Sequence, residues 1–100
     1  DVLLVMFYAS WCVHCPKDAW EYLYNNHNNS KLDNNRTMII KKINESNSIF
    51  KDFCLEIDYP VTSFPTILKI TKVNTFDLVV EVFNDHRTPI HFKRFANKLN

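Results

Sequence analysis

The chain has 100 residues, of which 46% are hydrophobic, and a formal net charge of +1, which is enough apolar material for one packed core in a single domain. Its charges are scattered, so neither a nucleic-acid-binding basic stripe nor an acidic disordered tail is indicated. The longest apolar run, residues 2–9, is too short to be a membrane segment, and three cysteines cannot all pair within the chain, which excludes a disulfide-stapled mini-protein.

The first half of the chain predicts two strands with a helix and a loop between them. Residues 2–9 form an unbroken apolar run, typical of a central strand covered on both faces. A helical pattern follows from Trp11 to Asn25. Its apolar face contains Ala19, Trp20, Leu23 and Tyr24. The asparagine-rich stretch 25–35 predicts a solvated loop, and residues 36–43 predict a second buried strand.

The second half predicts a helix, a hairpin and a last helix. Residues 44–57 begin with polar capping residues, which are followed by apolar residues at helical spacing. The apolar positions of this helix are Ile49, Phe50, Phe53, Cys54 and Ile57. Residues 66–73 and 77–83 alternate and predict an antiparallel pair, and residues 88–99 predict an amphipathic helix with Pro89 in its first turn. The order β-α-β-α-β-β-α predicts an α/β fold with a central mixed sheet and helices on both faces.

Cys12 and Cys15 form a Cys-Val-His-Cys pair directly after the first strand. Such a pair can be half of a zinc site, an inert pair or a redox dithiol. A zinc site is disfavoured, because zinc needs about four ligands and the sequence has no second Cys-x-x-Cys or spaced histidine pair. A redox dithiol needs an exposed thiolate, and the junction of a strand with a helix N-terminus exposes Cys12 and lowers its thiol pKa. Cys15, further into the helix, is then the shielded resolving thiol, and His14 can stabilise the reduced form.

Three separated segments resemble the a-type catalytic, thioredoxin-like domains of protein disulfide isomerases. They are FYASWCVHC (7–15), VTSFPTILKI (61–70) and FNDHRT (83–88). The resemblance implies a thioredoxin-like fold, a cis peptide bond before Pro65 that faces the cysteine pair, and an arginine, Arg87, that swings towards Cys15. Family members carry an earlier strand and helix, so we expect residues 1–100 to be a single domain that lacks both and is part of a longer protein.

The resemblance further implies a thiol–disulfide oxidoreductase of the endoplasmic reticulum lumen. Its only redox group is the reversible Cys12–Cys15 disulfide, with no cofactor and no metal. The implied partners are unfolded or disulfide-bearing protein clients, together with glutathione or an upstream thiol oxidase. Trp11, Phe64 and Pro65 are the expected client-binding residues.

The chain departs from the family pattern beside the cysteines. Met6 stands where the family has a buried acid, which leaves Lys42 without a carboxylate partner. We hypothesise that Lys42 or Arg87 stabilises the Cys15 thiolate directly. Val13 replaces a glycine and Pro16 replaces a lysine, changes expected to alter client choice and redox potential.

Two other functions compete with the isomerase hypothesis. Met6 and Val13 fit a thioredoxin-like module that binds clients or a partner chain with weakened redox activity. A general reductase of the cytosolic kind is disfavoured by His14, where a proline is expected. The remaining candidates have simpler interpretations: a core position for Cys54, a loop for His27, the surface for His86 and His91, and uninformative glycosylation sequons at Asn28, Asn35 and Asn44.

Overall fold

The computed structural model describes residues 1–98, which form one mixed sheet with helices on both faces. In chain order the elements are β1 (Val2–Tyr8), α1 (Lys17–His27), β2 (Ser30–Lys31), a 3-10 turn (Asp33–Asn35), β3 (Thr37–Asn44), α2 (Phe50–Glu56), β4 (Thr66–Lys72), β5 (Leu78–Val82) and α3 (Pro89–Asn97). The predicted order is confirmed, with the two-residue strand β2 as an addition. None of the helices in the described part of the chain is long and apolar enough to cross a membrane.

The five strands are ordered β2-β3-β1-β4-β5, with β1 in the centre. β1 and β3 are parallel, whereas the other three pairs are antiparallel. This arrangement confirms both the central position of the apolar run and the β4–β5 hairpin. β2 pairs only with Thr37 and Met38, so the outer edge of β3 from residue 39 onwards has no strand beside it within residues 1–98.

Two apolar clusters cover the two faces of the sheet. On one face α1 and α3 pack against the strands, and Trp20 meets Phe92 edge to face with ring centroids 5.0 Å apart. On the other face α2 packs against β1, where Phe7 contacts Phe50 and Phe53 at 5.8 Å each. Burial on both faces explains why β1 has no polar alternation.

Helix α1 begins at Lys17, not at Trp11 as predicted. The cause is Pro16, whose backbone angles are non-helical and which disfavours helical geometry at the preceding cysteine. Residues 10–15 therefore form a loop before the helix. The predicted apolar face is also narrower, because Tyr24 is exposed while Trp20 and Leu23 are buried.

The prediction of a solvated loop at 25–35 is wrong in part. Helix α1 continues to His27, and the stretch then forms β2 and the 3-10 turn. The Asn28 side chain accepts a hydrogen bond from the Ile40 amide at 2.8 Å, which joins the stretch to β3. Asn29 and Asn34 have φ values of 65° and 64°, which asparagine tolerates better than most residues in a chain without glycine.

The two later helices are shorter than predicted. Helix α2 has seven residues, and the predicted core residue Ile49 lies before it and is exposed. Helix α3 begins at Pro89, one residue later than the predicted start at Thr88, and the Thr88 hydroxyl caps it by accepting a hydrogen bond from the amide of His91. Leu99, the predicted last residue of this helix, lies outside the described residues.

Lys69 is completely buried in the middle of β4. Its ammonium donates hydrogen bonds to the carbonyls of Phe95 and Lys98 at the end of α3, and it pairs with Glu81 of β5 at 3.2 Å. The sequence analysis missed this residue, because an alternating strand pattern predicts only one buried face. The ammonium therefore ties α3 to the sheet.

Candidate active site

The cysteine pair lies in the loop that joins β1 to α1. Cys12 and Cys15 form a disulfide with a Cα–Cα distance of 5.5 Å. Both residues are buried, with exposed fractions of 5% and 7%. The prediction that Cys12 is exposed and only Cys15 is shielded is therefore wrong for the disulfide form. The helix N-terminus is also further away in sequence than predicted, since α1 begins five residues after Cys12.

Phe64 and Tyr8 pack beside the buried disulfide. Both side chains pack against the cluster of Ala9, Cys12 and Cys15. The antiparallel pairing of β1 with β4 sets Phe7 opposite Thr66, which brings the segment before β4 next to the cysteine loop. The Phe64–Pro65 peptide bond in this segment is cis. Phe64 therefore lies beside the disulfide.

Trp11 is exposed beside the pair but is not free. Its side chain is 67% exposed, its ring meets Phe64 edge to face at 6.0 Å, and its indole N–H donates to Glu45 Oε1 at 2.9 Å. Glu45 follows β3, whose carboxyl end lies beside that of β1 because the strands are parallel. Sequence reasoning missed Glu45, although an acidic residue just after a strand parallel to β1 is a signal that could have found it.

Two cations contact the backbone of the cysteine loop. Arg87 Nη1 donates to the His14 carbonyl at 3.4 Å, and Lys17 Nζ donates to the Ser10 carbonyl at 3.3 Å. Arg87 reaches the loop because β5 runs antiparallel to β4 and ends on the same side as the cysteines. The structure places the Arg87 guanidinium on the His14 carbonyl, in the loop that carries Cys15, and its implied movement towards Cys15 stays a prediction. Lys17 was not among the predicted site residues.

Met6 and Lys42 lie opposite each other on the neighbouring strands β1 and β3. Met6 is buried in the apolar cluster under α1 and α3. Lys42 is exposed, and its ammonium lies over the Tyr8 ring, 5.6 Å from the centroid. The Tyr8 ring also packs against the cysteine cluster, so Lys42 contacts a residue that contacts the pair.

The remaining candidates lie away from the disulfide or at its margin. Cys54 is half-buried against the α2 cluster. His27 ends α1, where partial burial and the nearby Lys93 hold its pKa below the ordinary value. The rings of His86 and His91 lie 5.2 Å apart. Within the described residues, no group of three or more histidine, cysteine or acidic side chains is arranged to hold a metal ion.

Comparison with known proteins identifies the fold. No family model and no curated protein matches the chain. Among solved structures, it is similar to the first two thioredoxin domains of Eps1p from Naumovozyma dairenensis (17% identity, TM-score 0.64), to the first thioredoxin domain of mouse protein disulfide-isomerase A4 (22%, 0.63) and to the zinc-bound form of human ERp44 (15%, 0.63). Each match covers 96% of this chain, which spans 34%, 61% and 25% of the three respective chains. The chain therefore has a thioredoxin-like α/β fold.

Proposed function

We propose that the chain is a thiol–disulfide oxidoreductase that acts on protein clients through Cys12 and Cys15. The observation that carries the proposal is the disulfide at the end of the central strand, with Phe64 packed on it and the Arg87 guanidinium on its loop. The resemblance of the three motifs to protein disulfide isomerases supports the isomerase type and the endoplasmic reticulum lumen.

The proposed reaction is an exchange of disulfides between the domain and its client. A client thiolate attacks Cys12 Sγ, which forms a mixed disulfide and releases Cys15 as a thiolate. A second client thiolate then attacks the client sulfur of that bond, so the client gains a disulfide, Cys12 leaves as a thiolate and the domain accepts two electrons. Glutathione disulfide or a thiol oxidase reoxidises the dithiol. In the reductive direction the Cys12 thiolate attacks a client disulfide, and Cys15 resolves the intermediate.

The surroundings of the loop support this reaction in two ways. A cation next to a loop carbonyl stabilises a neighbouring thiolate, and Arg87 and Lys17 both supply one. Trp11, Val13 and Phe64 offer apolar surface next to the sulfurs, with Trp11 and Val13 strongly exposed. An unfolded client can bury its own apolar side chains against this surface.

Burial of the disulfide supports a second function, a client-binding module with weak redox activity. Cys12 is almost inaccessible in the oxidised form, and the apolar Met6 cannot accept a proton from Cys15. Slow exchange combined with an exposed apolar surface would hold clients rather than oxidise them.

Refolding of scrambled ribonuclease and reduction of insulin distinguish these functions. We expect turnover by the wild-type chain, none by Cys12→Ser, and a trapped mixed disulfide with Cys15→Ser. Cys54→Ser is the matched control, since it removes the free cysteine and leaves the pair intact. Wild-type turnover no greater than that of Cys12→Ser would reject the oxidoreductase. Client binding by both proteins, measured by fluorescence anisotropy of a labelled unfolded protein, would then support the binding module.

A further inference from the structure

Lys17 is bonded to both ends of the segment that carries the disulfide. Its side-chain ammonium donates to the Ser10 carbonyl at 3.3 Å, and its backbone amide donates to the Cys15 carbonyl at 2.8 Å. Cys12 lies between these two attachment points. Lys17 therefore bonds to the first and the last residue of the loop that carries the cysteine pair.

Pro16 explains why Lys17 is in this position. The proline delays the start of α1, so Lys17 becomes the first helical residue and its side chain can turn back over the loop. A lysine in the first turn of a helix is unfavourable, because the N-terminus already carries partial positive charge. Reduction of the disulfide creates negative charge in the loop directly before this helix, and a cation held on that loop opposes this charge.

Arg87 supplies a second attachment on the same loop. Its guanidinium donates to the His14 carbonyl at 3.4 Å, on the opposite side of Cys12 from Ser10. The two cations come from different elements, the start of α1 and the loop before α3. Together they hold the carbonyls on either side of Cys12.

We propose that Lys17 is a positioning residue which, together with Arg87, holds the disulfide loop and stabilises its reduced form. This inference rests on the proposed oxidoreductase function. In the reaction it concerns, two glutathione thiols reduce the Cys12–Cys15 disulfide and become glutathione disulfide, while the domain becomes a dithiol. At working pH the Cys12 thiol releases its proton to solvent, while the Lys17 ammonium keeps its bond to the Ser10 carbonyl of the same loop.

Lys17→Met removes the charge and the donor while keeping most of the aliphatic stem. We expect its equilibrium with glutathione to shift towards the disulfide by about 1.5- to 5-fold, the range of one exposed charge interaction. The measured pKa of Cys12, from the pH dependence of alkylation of the reduced protein, should rise in parallel. Lys17→Arg should restore both values, because it keeps a cation that can reach the Ser10 carbonyl.

Lys51→Met, an exposed lysine of α2, is the matched control and should change neither value. Because both cations act on one loop, the effects of Lys17→Met and Arg87→Met should not add in the double variant. Equal behaviour of Lys17→Met and Lys51→Met in both measurements would overturn the inference. This failure is distinct from that of the proposed function, which fails if the wild-type protein does not exchange with glutathione at all.

Discussion

Replacing Lys69 by methionine tests the buried ammonium that joins β4 to the end of α3. The substitution keeps the length of the side chain but removes every donor from a site with no solvent exposure. The carbonyls of Phe95 and Lys98 and the carboxylate of Glu81 each lose a partner. The two hydrogen bonds to these carbonyls are partly buried. An acceptor that loses its partner away from water costs about 1–3 kcal/mol, whereas the Glu81 side chain is 31% exposed and can reach water.

We therefore expect Lys69→Met to lower the free energy of unfolding by about 3 kcal/mol, less than the full cost of breaking a buried ion pair. With a urea m-value of about 1 kcal/mol/M, the midpoint of the urea transition should fall by about 3 M. The matched control is Lys72→Met, an exposed lysine of the same strand, with an expected change below about 0.5 kcal/mol. A Lys69→Met protein as stable as this control would show that the ammonium makes no net contribution, and would refute the reasoning.

Two further predictions concern stability. Folding lowers the pKa of His27, so the contribution of this residue to stability is complete above the unfolded pKa of 6.5 and is lost as pH falls through the folded pKa. Between pH 7 and 5 the melting temperature should therefore fall more in the wild type than in His27→Gln. An equal fall of the melting temperature in both proteins would contradict this. Asn34 has a φ of 64°, so Asn34→Ala should cost about 1 kcal/mol in urea unfolding and Asn34→Gly less. Equal stability of the two Asn34 variants would exclude backbone strain as the cause.

The fold was predictable because its strongest signals are local. The unbroken apolar run of β1 follows directly from the burial of both faces of this strand. The start of α1 was predictable only approximately, because the apolar spacing extends back to Trp11 whereas Pro16 disfavours helical geometry at Cys15. Lys69 could not be foreseen, since its partners are carbonyls of a helix that begins twenty residues later in the chain.

The candidate site was predictable only as far as the motifs extend. The structure places Phe64 beside the cysteine pair and Arg87 on the His14 carbonyl, while the roles of Arg87, His14 and Lys42 stay predictions. The burial of Cys12 is a feature of the folded loop, which spacing along the chain does not encode. Lys17 and Glu45 contact the cysteine loop through side-chain hydrogen bonds, which the pattern of the sequence does not reveal.

The incomplete pairing of β3 has a consequence for contacts between copies of the chain. β5 forms one edge of the sheet, and at the other edge, within residues 1–98, only two residues of β3 have a strand next to them. When two different edges of a molecule pair with each other, the contact does not close into a dimer and copies can add without limit. Preparations at millimolar concentration would then lose material to fibrous precipitate, and a charged residue substituted into either edge would keep the protein dispersed.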